Sequence, residues 1–453
     1  MTRRERGSQR KPGPTRGAGR IQPGTARPTR GRAENRRGRV QTQVTSSRPH
    51  HDHAATQPGA ARPSHARGRA KPQPSATRQE QRRSHSPASA AVRFEARPTD
   101  ERALEQCLRS EQPLQVGDWL WTMREGAERD LIEELLRYEK TALQPRRLSA
   151  ALVASSRAPL DADARLDVTF ARQGFLVTHI ARAEAIAELA ASLAPALHAC
   201  LRGEKRYALQ VFVPDSTAGN PLATRAEALD QALALHEASD AERIPDADLR
   251  RHGGVLIQIC LLSHTTAALG CTPSDRALSL WPGGRARMKL AGDFPSRAAR
   301  KLAEAFAWLG MAPGSGETCV DLGAAPGGWS WLLLERKARV IAVDPARLEP
   351  KLMQNSRLRH VQGSAFDFTP EQPVDWLLCD MAWRPLEVAQ MLGRWARQRH
   401  TRMLVANFKL PMKRKVEMLE RLRAVLSASG FASIRMRQLY HDREEITLTA
   451  HVR

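Results

Sequence analysis

The sequence predicts an α/β chain. A doubly wound domain over residues 285–453 follows a smaller α+β domain over 116–275 and a disordered basic arm with its connector over 1–110. Three observations lead to that division. Charge is lopsided: of the net +23, +17 falls in the first 90 residues, where 21 Lys and Arg face only Glu5, Glu34, Asp52 and Glu80. The same stretch has no Leu, Phe, Trp or Tyr and holds ten Pro and nine Gly, so it has little apolar surface to offset chain entropy. Beyond residue 285, short apolar runs alternate with helical periodicities, the pattern of a parallel sheet wrapped by helices.

Several classes drop out. The most apolar run, Val255 to Leu262, is far short of the roughly 18 to 20 residues of a membrane span. The arm is Arg-rich, but Ile21, Val40 and Val44 are its only larger aliphatics, too few for the amphipathic helix of a transit peptide. Six cysteines (107, 200, 260, 271, 319, 379) form no C-x-x-C pair, so no disulfide framework or zinc site is expected and a reducing cytoplasm fits. His50, His51 and His53 read as polar linker in the arm rather than as metal ligands.

In the α+β region, Asp118 to Met123 reads as a strand and Ala127 to Tyr138 as a helix with Leu131, Ile132, Leu135 and Leu136 at helical spacing. Leu166 to Phe170, Phe175 to Ile180, Tyr207 to Val213 and Val255 to Leu262 read as strands. An Ala-rich helix runs through Leu201, and another covers Thr224 to Glu237. In the last domain, Pro295-Ser296 opens a helix that carries Leu302, Ala305, Phe306 and Leu309 on one face, with Ser296 as cap. Strands are expected at Thr318 to Leu322, Arg339 to Val343, Val374 to Cys379, Met403 to Asn407, Ile434 to Leu439 and Glu445 to Val452. Helices are expected at Gly327 to Glu335, Leu386 to Arg397 and Lys413 to Ser429.

Ligands of such a sheet bind beyond the carboxyl ends of its strands. There the chain reads Asp321-Leu-Gly-Ala-Ala-Pro-Gly-Gly328, joining the first strand to a helix. Gly323 permits a tight turn, while Gly327 and Gly328 leave room for a ligand against backbone N–H groups at the helix N-terminus. The glycine spacing is not that of a nicotinamide site. Asp344 ends the next strand 23 residues after Asp321, where a carboxylate accepts both hydroxyls of a ribose; as an alternative it is a helix cap.

DLGAAPGGWSW (321–331), the strand-ending Asp344, CDM (379–381), NFKLPMK (407–413) and LYHDREE (439–445) together resemble the ribosomal RNA large-subunit ribose methyltransferase M family, a branch of the FtsJ-like 2'-O-methyltransferases. The resemblance is ordered over 285–453 and looser over 116–284, where FARQGF (170–175) is similar to the family's N-terminal region with its THUMP-type RNA-binding module. It does not extend to 1–110. It implies a Rossmann-like domain that takes S-adenosylmethionine through Gly323, Ala325, Pro326, Gly327, Gly328, Asp344 and Asp380, with no metal. The implied partner is 23S rRNA and the target a cytidine ribose of its peptidyl-transferase region. Ala325 stands where members often have Cys, and Ser364 where an acid commonly meets the adenine, a role left to Asp367 or to backbone amides.

The family further implies a Lys-Asp-Lys-Glu tetrad, which falls on Lys301, Asp380, Lys409 and Glu444. Without it, Lys301 reads as a surface partner of Glu304, and Lys409 as part of the solvated run Lys413, Arg414, Lys415. Strand alternation puts Glu444 with Ile446, Leu448 and Ala450, and Glu445 with Thr447 and Thr449; the more apolar face and the family's Arg-Glu pair favour Glu444. A free Lys, with a pKa near roughly 10.4, is protonated at neutral pH, so proximity of Lys301 to Lys409 is expected to help one of them act as a neutral base. RNA contacts are expected from Lys409 to Lys415 and Arg435 to Arg443, with the arm adding salt-sensitive phosphate attraction. Two other readings share these residues: the same chemistry on another RNA such as tRNA, and a non-catalytic RNA-binding assembly factor. The second leaves the paired carboxylates without a role.

Overall fold

The computed structural model describes residues 100–138, 143–158, 168–236 and 240–453. The arm and its histidines lie outside the described residues. The connector is not featureless: helix α1 (Glu101–Leu108) starts on Asp100, whose carboxylate accepts the N–H groups of Arg102 and Ala103 at 3.0 and 3.1 Å. Leu104 of α1 is fully buried, and Glu101 and Glu105 both pair with Arg129 of α2 (Glu128–Leu136).

Where one α+β domain was expected, residues 116–275 build two sheets. In the first, β1 (Trp119–Thr122), β2 (Arg146–Ser149), β3 (Leu152–Ser155) and β4 (Gln173–Leu176) pair antiparallel in the order β2-β3-β1-β4. The second has the order β5-β9-β8-β6-β7 and comprises β5 (His179–Arg182), β6 (Arg206–Phe212), β7 (Glu242–Arg243), β8 (Val255–Leu261) and β9 (Thr266–Pro273). Helices α3 (Ile186–Leu201), α4 (Ala223–Ala234) and α5 (Asp246–His252) belong to this second unit. The expected strand over 175–180 is two strands, one in each sheet, and the described part of 166–170 is not a strand. Leu120, Leu152 and Phe175 of the first sheet share a core with Phe212, Cys260 and Ala268 of the second. Gly270 is the tight point between them, since a Cβ there would lie 2.0 Å from the Leu176 carbonyl.

The C-terminal domain is a seven-stranded sheet of order β12-β11-β10-β13-β14-β16-β15. Its strands are β10 (Thr318–Leu322), β11 (Arg339–Val343), β12 (Leu358–Val361), β13 (Val374–Cys379), β14 (Thr401–Lys409), β15 (Phe431–Arg437) and β16 (Glu445–Val452). The first five are parallel and β16 runs antiparallel between β14 and β15. Side-chain alternation divides the core in two. Cys319, Val340, Trp376, Leu378 and Val405 pack against α6 (Ala298–Leu309) and α7 (Gly328–Glu335). Val320, Leu377, Cys379, Leu404, Ala406, Ile446 and Leu448 pack on the other face, against α8 (Pro385–Arg397) and α9 (Lys415–Ala428). This is the doubly wound arrangement that the alternating pattern predicts. Strand order reverses between β10 and β13, so the crevice of such a fold opens where the Gly-rich loop meets Asp380.

One residue in each of the two stretches expected to touch RNA is instead turned into the fold. Arg437 is buried and donates to the carbonyls of Leu278 and Arg172; burial lowers its pKa to about 9. Lys415 pairs with Asp130 of α2 at 2.6 Å. Among the described residues no helix is long and apolar enough to cross a membrane.

Candidate active site

Four elements bring polar side chains to the carboxyl edge of the C-terminal sheet. Asp380 follows β13, and its N–H bonds back to Leu322 of β10 at 3.2 Å. Lys409 ends β14 and stands opposite Glu445, the first residue of β16. Asn407 and Thr447 are opposed one step further in, so alternation sets all four on the face covered by α6 and α7. From that face α6 supplies Lys301. Its ammonium donates to Glu445 Oε1 at 2.5 Å and lies 3.8 Å from Asp380 Oδ1.

The structure thus corrects the choice of Glu444. The Glu444 side chain is 65% exposed and pairs with Arg124 at 2.6 Å and Lys415 at 3.7 Å, whereas that of Glu445 is 11% exposed against Lys301. The apolar face of β16, with Ile446, Leu448 and Ala450, is packed core and has no room for chemistry. The polar face carrying Thr447 is the one α6 approaches, and Glu444 precedes the strand, so alternation does not govern it.

Lys301 is not a surface partner of Glu304. Glu304 is buried and accepts the backbone N–H groups of Tyr440 and His441 at 2.7 and 2.9 Å. Burial alone would lower the Lys301 pKa, but the charge of Asp380 and the hydrogen bond and charge of Glu445 raise it above the usual value. The two carboxylates thus favour the charged form of Lys301. Burial pushes Asp380 up to about 6; Glu445 adds to the rise, while Lys301, Asn407 and Lys409 oppose it. Lys409 itself is exposed at the strand end.

The Gly-rich loop is tied to the neighbouring strand. Asp344 accepts from Ala325 N–H at 3.0 Å through one oxygen and from Ala346 N–H at 2.8 Å through the other. No helix begins at it, so it is no helix cap; it shapes the loop and retains lone pairs for a ligand. Gly323 (φ +78°) and Gly327 (φ +116°) adopt left-handed backbone. A Cβ on Gly327 would lie 2.2 Å from Leu352 Cδ1, and one on Gly328 2.2 Å from Ser296 Oγ. These two glycines are needed for packing as much as for ligand approach. Gly327→Val is accordingly expected to lower the melting temperature as well as cofactor affinity, and Asp344→Ala to loosen the loop and weaken cofactor binding. Calorimetry showing unchanged cofactor affinity in both variants would remove the pocket assignment.

Asp321, Asn407, Asp442 and Thr447 were not singled out from sequence. Asp321 and Asn407 did carry a signal, each a polar residue within an otherwise apolar run (CVDL, LVANF), whereas Thr447 lies on a strand face that is polar throughout and Asp442 in the turn before it. Asp321 is buried; its Oδ2 accepts from Ser330 Oγ at 2.7 Å, and its Oδ1 has no hydrogen-bond partner among the described residues. Burial pushes it up to about 7, and Asp380 and Asp344 add to the rise. A raised folded pKa means that this group's contribution to stability is present below the unfolded value near roughly 3.9 and is lost as pH rises through about 7. Asp321→Asn is therefore expected to raise the melting temperature at pH 8, with the gain shrinking toward pH 5. A gain that grows on acidification would reverse the assignment.

The region 294–415 matches the model of the FtsJ-like methyltransferase family. Over 201 residues the chain is 43% identical to the ribosomal RNA large subunit methyltransferase M of Methylococcus capsulatus, covering 42% of this chain and 56% of that one. Over 269 residues it is 37% identical to the protein of the same name from Xanthomonas oryzae pv. oryzae, covering 56% of this chain and 74% of that one. The chain belongs to the ribosomal RNA large subunit methyltransferase M family. Its cofactor is S-adenosylmethionine, and the switch-point residues fit that molecule. Asp344 and Asp380 follow the two strands that flank β10 and bring carboxylates to the crevice, the charge that a cationic sulfonium and ammonium require. The unpartnered oxygen of Asp321 and the spare lone pairs of Asp344 add unused acceptor capacity.

Proposed function

We propose that this chain transfers a methyl group to a ribose 2'-hydroxyl of large-subunit ribosomal RNA, a cytidine of the peptidyl-transferase region, with Lys301, Asp380, Lys409 and Glu445 as its tetrad. The observation that carries this reading is the clamp of Lys301 between Glu445 and Asp380, with Lys409 facing outward across the strand pair from Glu445. S-adenosylmethionine, when bound, supplies a methyl group on a positively charged sulfur, held by the Gly323–Gly328 loop, Asp344 and Asp380. The two carboxylates favour the charged form of Lys301, so Lys409 is the lysine left to accept the proton of the ribose hydroxyl, which it does in its neutral, deprotonated form. Asp380 and Glu445 keep Lys301 in place, and its charge favours the oxygen anion that develops as the proton leaves. Orientation of the hydroxyl against the methyl supplies much of the remaining rate.

The rim suits single-stranded RNA. Trp383 and Met412 are large exposed side chains on the loops that leave β13 and β14, where unstacked bases can lie against them. Lys409, Lys413, Arg414 and Arg443 are exposed around the same edge and can meet phosphates. The test is transfer of labelled methyl from S-adenosylmethionine to unmodified large-subunit rRNA, with mapping of the product. Label on one cytidine ribose is expected. Label on a base, on tRNA alone, or on no RNA despite cofactor binding overturns the reading.

A further inference from the structure

Asp380 is joined to a second, deeper carboxyl by a chain of three contacts. Asn407 Nδ2 lies 3.3 Å from Asp380 Oδ1, Thr447 Oγ1 lies 2.9 Å from Asn407 Oδ1, and Thr447 Oγ1 lies 3.0 Å from Asp442 Oδ2. Each contact needs one hydrogen. The Asn407 amide donates on one side and accepts on the other whichever way it is turned, and the Thr447 hydroxyl has a single hydrogen. Two hydrogens cannot serve three contacts, so the third belongs to a carboxyl at one end of the chain. If it sits on Asp442, the amide N–H faces Asp380; if it sits on Asp380, the amide is reversed.

The surroundings choose between the ends. Asp442 is buried, its Oδ1 has no hydrogen-bond partner among the described residues, and its Oδ2 otherwise accepts only from Leu439 N–H at 2.9 Å. The charged groups near it are Glu304 and Lys301 of α6 and Glu445 of β16, two acids against one cation. Asp380 faces Lys301 of α6 and Lys409 of β14, two cations, against Glu445 of β16 and Asp321 of β10. We propose that Asp442, Thr447 and Asn407 are positioning residues that form a one-proton relay, in which the proton resides on Asp442 and turns the Asn407 N–H onto an ionised Asp380. Burial, which lifts the Asp442 carboxyl well above the usual range, favours that end. The relay keeps Asp380 anionic toward Lys301 without a further cation in the core. It rests on the methyl-transfer reading for its role, though not for its geometry.

The test compares Thr447→Val, which has nearly the same shape but neither donates nor accepts, with Thr447→Ser, which keeps the hydroxyl. In single-turnover methylation the acidic limb of the wild-type pH profile follows ionisation of Asp380. Thr447→Val is expected to move that limb upward by roughly half a pH unit or more, the scale of one lost hydrogen bond, and Thr447→Ser to restore it. A purely structural role would lower the rate at all pH values without moving the limb, and that result overturns the proposal. Carboxyl carbon-13 spectra of the full chain labelled at aspartate Cγ provide a readout independent of turnover. Asp442 is expected to keep the shift of a protonated acid from pH 5 to pH 8 in the wild type, and Asp380 to titrate higher in Thr447→Val. An ionised Asp442 at pH 7 sinks the relay even if methylation proceeds. Absence of methyl transfer in the wild type, with Asp442 protonated, discards the reaction and leaves the relay standing.

Discussion

Lys409→Arg is expected to lower single-turnover methylation by a factor on the order of 100 or more while leaving cofactor and RNA affinities within a few-fold. The substitution keeps the positive charge and approximate reach, but a guanidinium with a pKa above roughly 12 cannot give up its proton to act as a base. The site accommodates the change, because Lys409 is exposed at the end of β14 and a planar head can still face Asp380 or Glu445. A lysine that merely attracts phosphate would be replaced almost silently, so the two roles separate cleanly. Wild-type turnover in Lys409→Arg would end its assignment as base. Lys301→Arg is a different experiment. The Lys301 side chain is only 17% exposed, with its ammonium already held by two carboxylates, so the larger guanidinium should act through packing and lower the melting temperature.

What the sequence made legible follows the strength of local patterning. The bounds of β10, β11 and β13 were readable to the residue because each is a compact run of β-formers ended by an acid or turn signal, and those of β16 because its polar and apolar residues alternate. β2 and β3 were missed because RRLS and LVAS are too short to display a period, and β12 because LRHV is an edge strand half open to solvent. α1 was overlooked because only Leu104 of its eight residues is buried, although Asp100 before an acidic first turn is a legible cap. For the candidate site, strand ends and the resemblance pointed to Asp380, Lys409, Asp344 and the Gly-rich loop, which the fold brings to one edge of the sheet. Which acid of the adjacent pair turns inward was decided by something no local pattern carries: which helix covers which face of β16. The fate of Arg437 was hidden for the same reason, since a basic run gives no sign that one member crosses to the carbonyls of Leu278 and Arg172.

That ambiguity yields the sharpest test of the site. Glu445→Gln is expected to reduce single-turnover methylation by a factor on the order of 100 and to lower the melting temperature, whereas Glu444→Gln should stay within two- to three-fold of wild type with an unchanged melt. Glu445 holds a buried ammonium at 2.5 Å, and removing one partner of a buried pair can cost about 3 to 5 kcal/mol; the low end applies here because Lys301 keeps Asp380 at 3.8 Å. Glu444 forms exposed pairs with Arg124 and Lys415, a kind of contact worth about 0 to 1 kcal/mol. The pH profile adds a signed check. Glu445 is one of the groups that raise the Asp380 pKa toward about 6, so neutralising it should move the acidic limb of activity to lower pH even as the rate falls. Glu444 is not among those groups, so its variant should leave the limb where it is. Equal losses in the two variants, or a limb that moves upward in Glu445→Gln, would remove Glu445 from the tetrad, because the Lys301 clamp requires one acid, in one place, acting on both the lysine and Asp380.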